Sequence, residues 1–171
     1  MSETCKLVAI LVADVVGYSR LAAADEDRTL SRLRGLRSDL IDPTIAVHYG
    51  RVVKRSGDGS VIEFRSVVDA VKLRHWQRAM VERNAEVAPD KRIEYRVGIY
   101  LGDVVEESDG DLMGDGVNIA TRLEGVAKPG FQTPSPNARV RRGGLGSRIG
   151  DRLPVGDRLA ERRAQRRFIA T

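Results

Sequence analysis

The sequence predicts a layered α/β (α+β) domain, with a largely antiparallel sheet covered by helices. Three observations carry that prediction. Short runs rich in Val, Ile and Leu alternate with longer segments of helical apolar spacing, in the order strand, helix, hairpin, helix, hairpin, helix. Gly-Asp pairs punctuate the strand-rich stretches where a chain must reverse. The length of 171 residues, 42% of them apolar and 31% charged, suits one globular domain with a core of useful size.

The elements follow in order. "CKLVAILVAD" reads as a buried strand that stops on a carboxylate, Asp14, before the short loop Val15-Val16-Gly17-Tyr18-Ser19. "DEDRTLSRLRGLRSDLI" spaces Leu30, Leu33, Leu36 and Leu40 as a helix does, with acids in its first turn where the helix dipole favours them. Pro43 breaks or restarts that helix. "RVVKRS-GDG-SVIEF" is a hairpin with a Gly-Asp-Gly turn, and "SVVDAVKLRHWQRAMVERN" is a second helix. "RIEYRVGIYLGDVVEE" suggests a strand, a tight turn near Gly102-Asp103 and another strand. "GDGVNIATRLEGVA" is a third helix, stopped by Lys128-Pro129-Gly130.

The net charge of +5 is unevenly placed. Residues 131–171 carry ten Arg, no Lys and three acids, a balance of +7, which leaves −2 for the first 130 residues. That tail lacks strand alternation and is rich in Arg, Gly and Pro, so the expected organisation is a folded domain over 1–130 and a poorly ordered tail over 131–171. Ten arginines invite a nucleic-acid reading, but no aromatic interleaving or binding motif accompanies them, and nucleic acid is set aside as a partner. A single cysteine, Cys5, excludes an internal disulfide framework. No run reaches membrane-span length and no secretion signal opens the chain, so a cytoplasmic protein is expected.

An acid at the end of a buried strand needs a partner, either a cation or backbone N–H groups. Asp14 and the turn residue Asp58 could converge above one sheet, and two carboxylates suffice for Mg²⁺, which keeps waters and phosphates as its other ligands. Asp58 alone could equally be a turn former. Asn118 and Arg122, four apart, share a helix face and could hold a phosphoryl group as charge builds on it; alone they could equally be a solvated face. Lys54 lies on the same face as Asp58 only if the hairpin stays regular.

The combination is more specific than its parts. "ADVVGYSR", "VVKRSGDGSVIEF", "RVGIYLGDVV" and "DLMGDGVNIATRLEG" occur in this order and, over residues 5 to 130, resemble the class III nucleotidyl cyclase domain of the bacterial adenylate/guanylate cyclase type. The resemblance implies a ferredoxin-like βαββαβ core and a homodimer paired head to tail, with composite active sites in the cleft between the two domains. It further implies that Asp14 and Asp58, with the carbonyl of Val15, hold two divalent ions (Mg²⁺ or Mn²⁺), and that Val16, Gly17, Tyr18 and Ser19 cradle the triphosphate with backbone N–H groups. The partner chain would supply Asn118 and Arg122, acting at the transition state, together with Lys54 and Asp111, which would read the base. An ammonium donates to adenine N1 and a carboxylate accepts from adenine N6, whereas guanine offers the opposite pattern, so ATP is the expected substrate and cyclic AMP the expected product. The alternative is a cyclase-homology module that dimerises or binds nucleotide without turnover.

Two stretches depart from the family. Residues 131–171 do not continue with the expected strands and read like an out-of-frame or truncated ending. Within "VKLRHWQRAM", one residue short, Arg74 and His75 replace small or aliphatic residues; His75 and Trp76 are read as helix-face residues rather than ligands.

Overall fold

The opening apolar run owes its unbroken hydrophobicity to its place at the centre of the sheet. In the computed structural model, which describes residues 4–130 and 132–134, it forms β1 (Thr4–Val15), covered on both faces. Ala9, Leu11, Ala13 and Val15 pack into one core cluster, while Val8, Ile10 and Val12 pack into another on the opposite face. Asp14 is the next residue in the second series, so the carboxylate stands where that cluster ends.

After β1, Gly17 takes a left-handed conformation (φ 64°) and starts the short helix α1 (Tyr18–Ala24). Helix α2 (Glu26–Leu36) is capped by Asp25, whose side chain accepts from the Arg28 N–H. The single helix expected over 25–41 instead passes into a π-helical turn (Arg37–Ile41) and then α3 (Asp42–Val47), with Pro43 in its first turn. Proline has no N–H to bond the carbonyl four residues back, and the wider turn absorbs that loss while Ile41 and Ile45 remain buried. The hairpin forms as expected: β2 (Gly50–Ser56) and β3 (Gly59–Phe64) are joined by Gly57 and Asp58, with Gly57 at φ 56°.

The expected second helix is divided at Leu73 into α4 (Val67–Lys72) and α5 (Arg74–Arg83). The break lets Ala70, Leu73, Trp76 and Met80 all reach the core. Trp76, expected on a helix face, is 2% exposed and packs against Tyr95 with ring centroids 5.2 Å apart. The side chain of His75, named with it, lies outside the described residues.

The turn expected at Gly102-Asp103 does not occur. β4 (Tyr95–Glu106) runs straight through it, because β1 pairs with β4 at every position from Thr4 opposite Glu106 to Val15 opposite Tyr95. Gly102 is required for another reason: a Cβ there would meet the Tyr100 ring at 2.2 Å. The reversal comes at residues 107–111, before β5 (Leu112–Met113). Helix α6 (Asp115–Val126) follows, and a further short strand, β6 (Gln132–Pro134), lies past the point where the sequence shows no strand pattern and pairs in parallel with β4. The expectation of a poorly ordered, out-of-frame ending without strands covers residues 131–171; β6 at Gln132–Pro134 runs against it, its pairing being supplied by β4 rather than by any local pattern, and residues 131 and 135–171 lie outside the described residues.

The sheet order is β2-β3-β1-β4-β5, antiparallel along that path, with β6 also on β4 but parallel to it. Its first four strands have the βαββαβ arrangement of a ferredoxin-like core, in agreement with the expected α+β class. Helices α1 to α5 contribute to the core on one face, and α6 covers the other. Among the described residues no helix is long and apolar enough to cross a membrane.

Candidate active site

Asp14 comes from the end of β1 and Asp58 from the β2–β3 turn, and antiparallel pairing of β1 with β3 carries the turn to the strand end, Ala13 lying opposite Ser60. Gly59, next to Asp58, lies beside the strand end: a Cβ on it would be in ordinary contact with Asp14 Oδ1, at 3.5 Å. The two carboxyl groups lie close enough for each to feel the other's charge. Burial pushes the Asp58 carboxyl above its ordinary range and the Asp14 charge adds to the rise, while the N–H groups of Asp58 and Val15 pull the other way. Two half-buried anions in one place are a donor set that a divalent cation would neutralise. The set is small and all-oxygen, as Mg²⁺ takes when waters and phosphates complete its shell. No group of three or more His, Cys, Asp or Glu side chains suited to a metal occurs among the described residues.

Arg96, opposite Asp14 in the β1–β4 register, places Nη2 3.2 Å from Asp14 Oδ2. Its Nε lies 2.9 Å from Glu124 Oε1 on α6, an ion pair whose atoms are not aligned as a hydrogen bond. Burial raises the Glu124 carboxyl, Arg96 pulls it back, and Asp14 and Asp58 add to the rise. Sequence reasoning missed both residues. A signal existed for the second, because Gly116, Ala120 and Glu124 recur every four residues on the inner face of the helix.

The loop after β1 contributes unequally. The Val16 N–H is taken by the Glu94 carbonyl at 2.8 Å. The N–H groups of Gly17, Tyr18 and Ser19 have no backbone acceptor among the described residues, as expected for the opening turn of a helix. Tyr18 packs its ring against the core, while Gly17 and Ser19 are exposed.

A second cluster joins Lys54 and Asp111. The hairpin is regular from the turn back to Lys54, which pairs with Val61, and the register shift falls just beyond, between Val52 and Lys54. Val61 packs with the Val12 cluster, so Lys54 shares the Asp14 face of the sheet. Arg51 draws the 107–111 turn across that face: it pairs with Glu63 and Glu106 and donates to the Gly110 carbonyl at 3.0 Å. Asp111 then accepts from Lys54 Nζ at 2.7 Å through Oδ2 and from the Leu112 N–H through Oδ1. The hydrogen bond to Asp111 raises the Lys54 ammonium and, reciprocally, holds the Asp111 carboxyl low. No hydrogen bond or ion pair links this cluster to Asp14 and Asp58 among the described residues.

Asn118 and Arg122 stand apart from both. Helix α6 is pressed against the sheet at two glycines: a Cβ on Gly98 would lie 2.3 Å from the Ala120 carbonyl, and one on Gly116 would lie 2.8 Å from the Ile10 side chain. With 116, 120 and 124 facing inward, residues 118 and 122 are about half a turn round the helix and are exposed. The structure thus brings Asp14 to Asp58 and Lys54 to Asp111, and turns Asn118 and Arg122 away from their own sheet.

The profile of the family described as Adenylate and Guanylate cyclase catalytic domain matches residues 1–133. A Rhizobium meliloti (strain 1021) protein named "Putative adenylate cyclase 3" is 47% identical over 126 residues, which are 73% of this chain and 21% of that protein. The chain therefore spans about a fifth of that relative's length. Among solved structures, an adenylate/guanylate cyclase/hydrolase from Silicibacter pomeroyi is 41% identical with a TM-score of 0.73, covering 79% of this chain and 78% of that one. The guanylyl cyclase Cya2 shares the fold at 21% identity and a TM-score of 0.70, over 81% of this chain and 79% of its own.

Proposed function

The chain belongs to the adenylate and guanylate cyclase catalytic-domain family, and from that premise we propose that it converts ATP to 3′,5′-cyclic AMP and pyrophosphate, as a homodimer working in intracellular signalling. Residues 1–130 would be the working domain. The observation that carries the reading is the convergence of the Asp14 and Asp58 carboxyl groups at the end of β1.

Asp14, Asp58 and the Val15 carbonyl would hold two divalent ions, Mg²⁺ or Mn²⁺. Such ions, when bound, activate the ribose 3′-hydroxyl and offset charge on the departing pyrophosphate. The N–H groups of Gly17, Tyr18 and Ser19 donate to triphosphate oxygens; Val16 contributes through its place in the loop, its own N–H being taken. Lys54 donates to adenine N1, and Asp111 accepts from the N6 amino group. Asn118 and Arg122 donate to the charge that builds at the α-phosphoryl group. Their outward aim on α6 favours service to a second chain's Asp14 and Asp58, which makes each site composite.

The test is cyclic AMP formation by the purified chain with Mn²⁺ or Mg²⁺ and ATP, beside Asp58→Ala. A loss of about a hundredfold or more in a variant that still folds is expected. Nucleotide binding without turnover in the unaltered chain would replace this reading with that of a non-catalytic module.

A further inference from the structure

Beside the two carboxylates the protein carries a cation of its own. The Arg96 guanidinium is divided between Asp14, through Nη2 at 3.2 Å, and Glu124, through Nε at 2.9 Å. The two acids differ in standing. The Asp14 side chain is 31% exposed at the strand end, while that of Glu124 is 9% exposed beneath α6. Glu124 is also fixed in place, because its backbone N would lie 2.4 Å from a Cβ on Gly98 and so sits directly on β4. A guanidinium can face two carboxylates at once, so losing Asp14 leaves it still paired in charge with Glu124.

We propose that Arg96 is the resident counter-cation of Asp14, occupying that carboxylate until a divalent ion arrives, and that Glu124 is the positioning residue that keeps Arg96 seated when Asp14 is given up. The inference rests on reading Asp14 and Asp58 as the cation-holding pair. An ion that takes Asp14 Oδ2 must displace Arg96, which holds that oxygen at 3.2 Å. Glu124 already shares the guanidinium charge, weakens its hold on Asp14, and keeps a half-buried cation from being left unpaired after the exchange.

The test reads Mn²⁺ binding to the nucleotide-free full chain by electron paramagnetic resonance of the free ion, with Asp58→Ala as the reference for the site. Arg96→Gln is expected to tighten Asp58-dependent binding about three- to tenfold, because a competing cation is gone. Glu124→Gln is expected to weaken it about threefold, and this effect should vanish in the Arg96→Gln background, since Glu124 acts through Arg96. Were Arg96 only a brace, its loss would weaken binding, and that result overturns the proposal. So does a Glu124→Gln effect that persists undiminished without Arg96, which would mark a direct charge effect. In the unaltered chain, the side-chain ¹⁵N signals of Arg96 should shift with added Mg²⁺, and signals that stay still overturn the proposal without relying on any variant's folding. Binding in the unaltered chain that ignores Asp58 refutes the metal-site reading and the proposal together. Asp58-dependent binding that is indifferent to Arg96 refutes the proposal alone.

Discussion

Lys54 Nζ and Asp111 Oδ2 meet at 2.7 Å, although 57 positions separate them in the chain. The contact exists because Arg51 pins the 107–111 turn over β2 by donating to the Gly110 carbonyl and pairing with Glu63 and Glu106. A donor and an acceptor are thereby held side by side, the arrangement that the N1 and N6 edge of adenine would need.

Base choice should therefore depend on Asp111. Replacing it by Asn keeps the size but lets the amide rotate, so that an acceptor is no longer enforced. The ratio of cyclic AMP to cyclic GMP formed from equal ATP and GTP is expected to fall about tenfold in Asp111→Asn. A ratio equal to that of the parent would remove this pair from recognition of the base.

Composite sites make a prediction about mixtures. Asp14→Ala and Asn118→Ala should each be inactive alone. After the two are refolded together, half of the dimers are mixed and each mixed dimer has one intact site, so about a quarter of the parental activity should return. If no activity returns although mixed dimers are present, the head-to-tail arrangement is wrong.

Gly98 carries the seat of α6. A methyl group there would meet the Ala120 carbonyl at 2.3 Å and the Glu124 N at 2.4 Å, both backbone atoms that cannot step aside singly. Gly98→Ala is expected to cost about 1–3 kcal/mol in denaturant unfolding. Cyclase activity should fall by more than that loss explains, because Asn118 and Arg122 move with the helix. Unchanged stability and activity would show that the helix docks less tightly than these distances require.

Tyr95 ties alkaline stability to its burial, which pushes its phenol up to about 12. An ordinary tyrosine in the unfolded chain ionises near pH 10, so the unfolded state gives up the proton first. Stability is therefore intact below about pH 10 and is lost progressively as pH rises through about 12, with about 2–3 kcal/mol at stake. In Tyr95→Phe that part of the alkaline loss should disappear from a pH series of denaturant midpoints. An unchanged alkaline limb would show that other groups set it.

Much of this was legible locally. Period and composition identify the doubly buried strand that ends at Asp14, the Gly57-Asp58 turn, and the third helix with Asn118 and Arg122 on one face. They failed where a local signal had a non-local cause. Gly102 reads as a turn residue, yet it serves the Tyr100 ring in a strand that β1 keeps straight. Trp76 reads only as a helix-face residue, because Arg74 and His75 blur the apolar stripe in sequence, yet a break at Leu73 turns it into the core against Tyr95.

The sequence by itself determined which residues end strands, occupy turns and share helix faces, since those follow from backbone geometry within a few positions. Only the tertiary structure decided that Asp14 faces Arg96, that Arg96 also reaches Glu124, and that Lys54 closes on Asp111. An alternating pattern tells which side of a sheet a residue occupies, but its partner is set by register and by helix docking. Those depend on contacts between segments 28 to 82 residues apart.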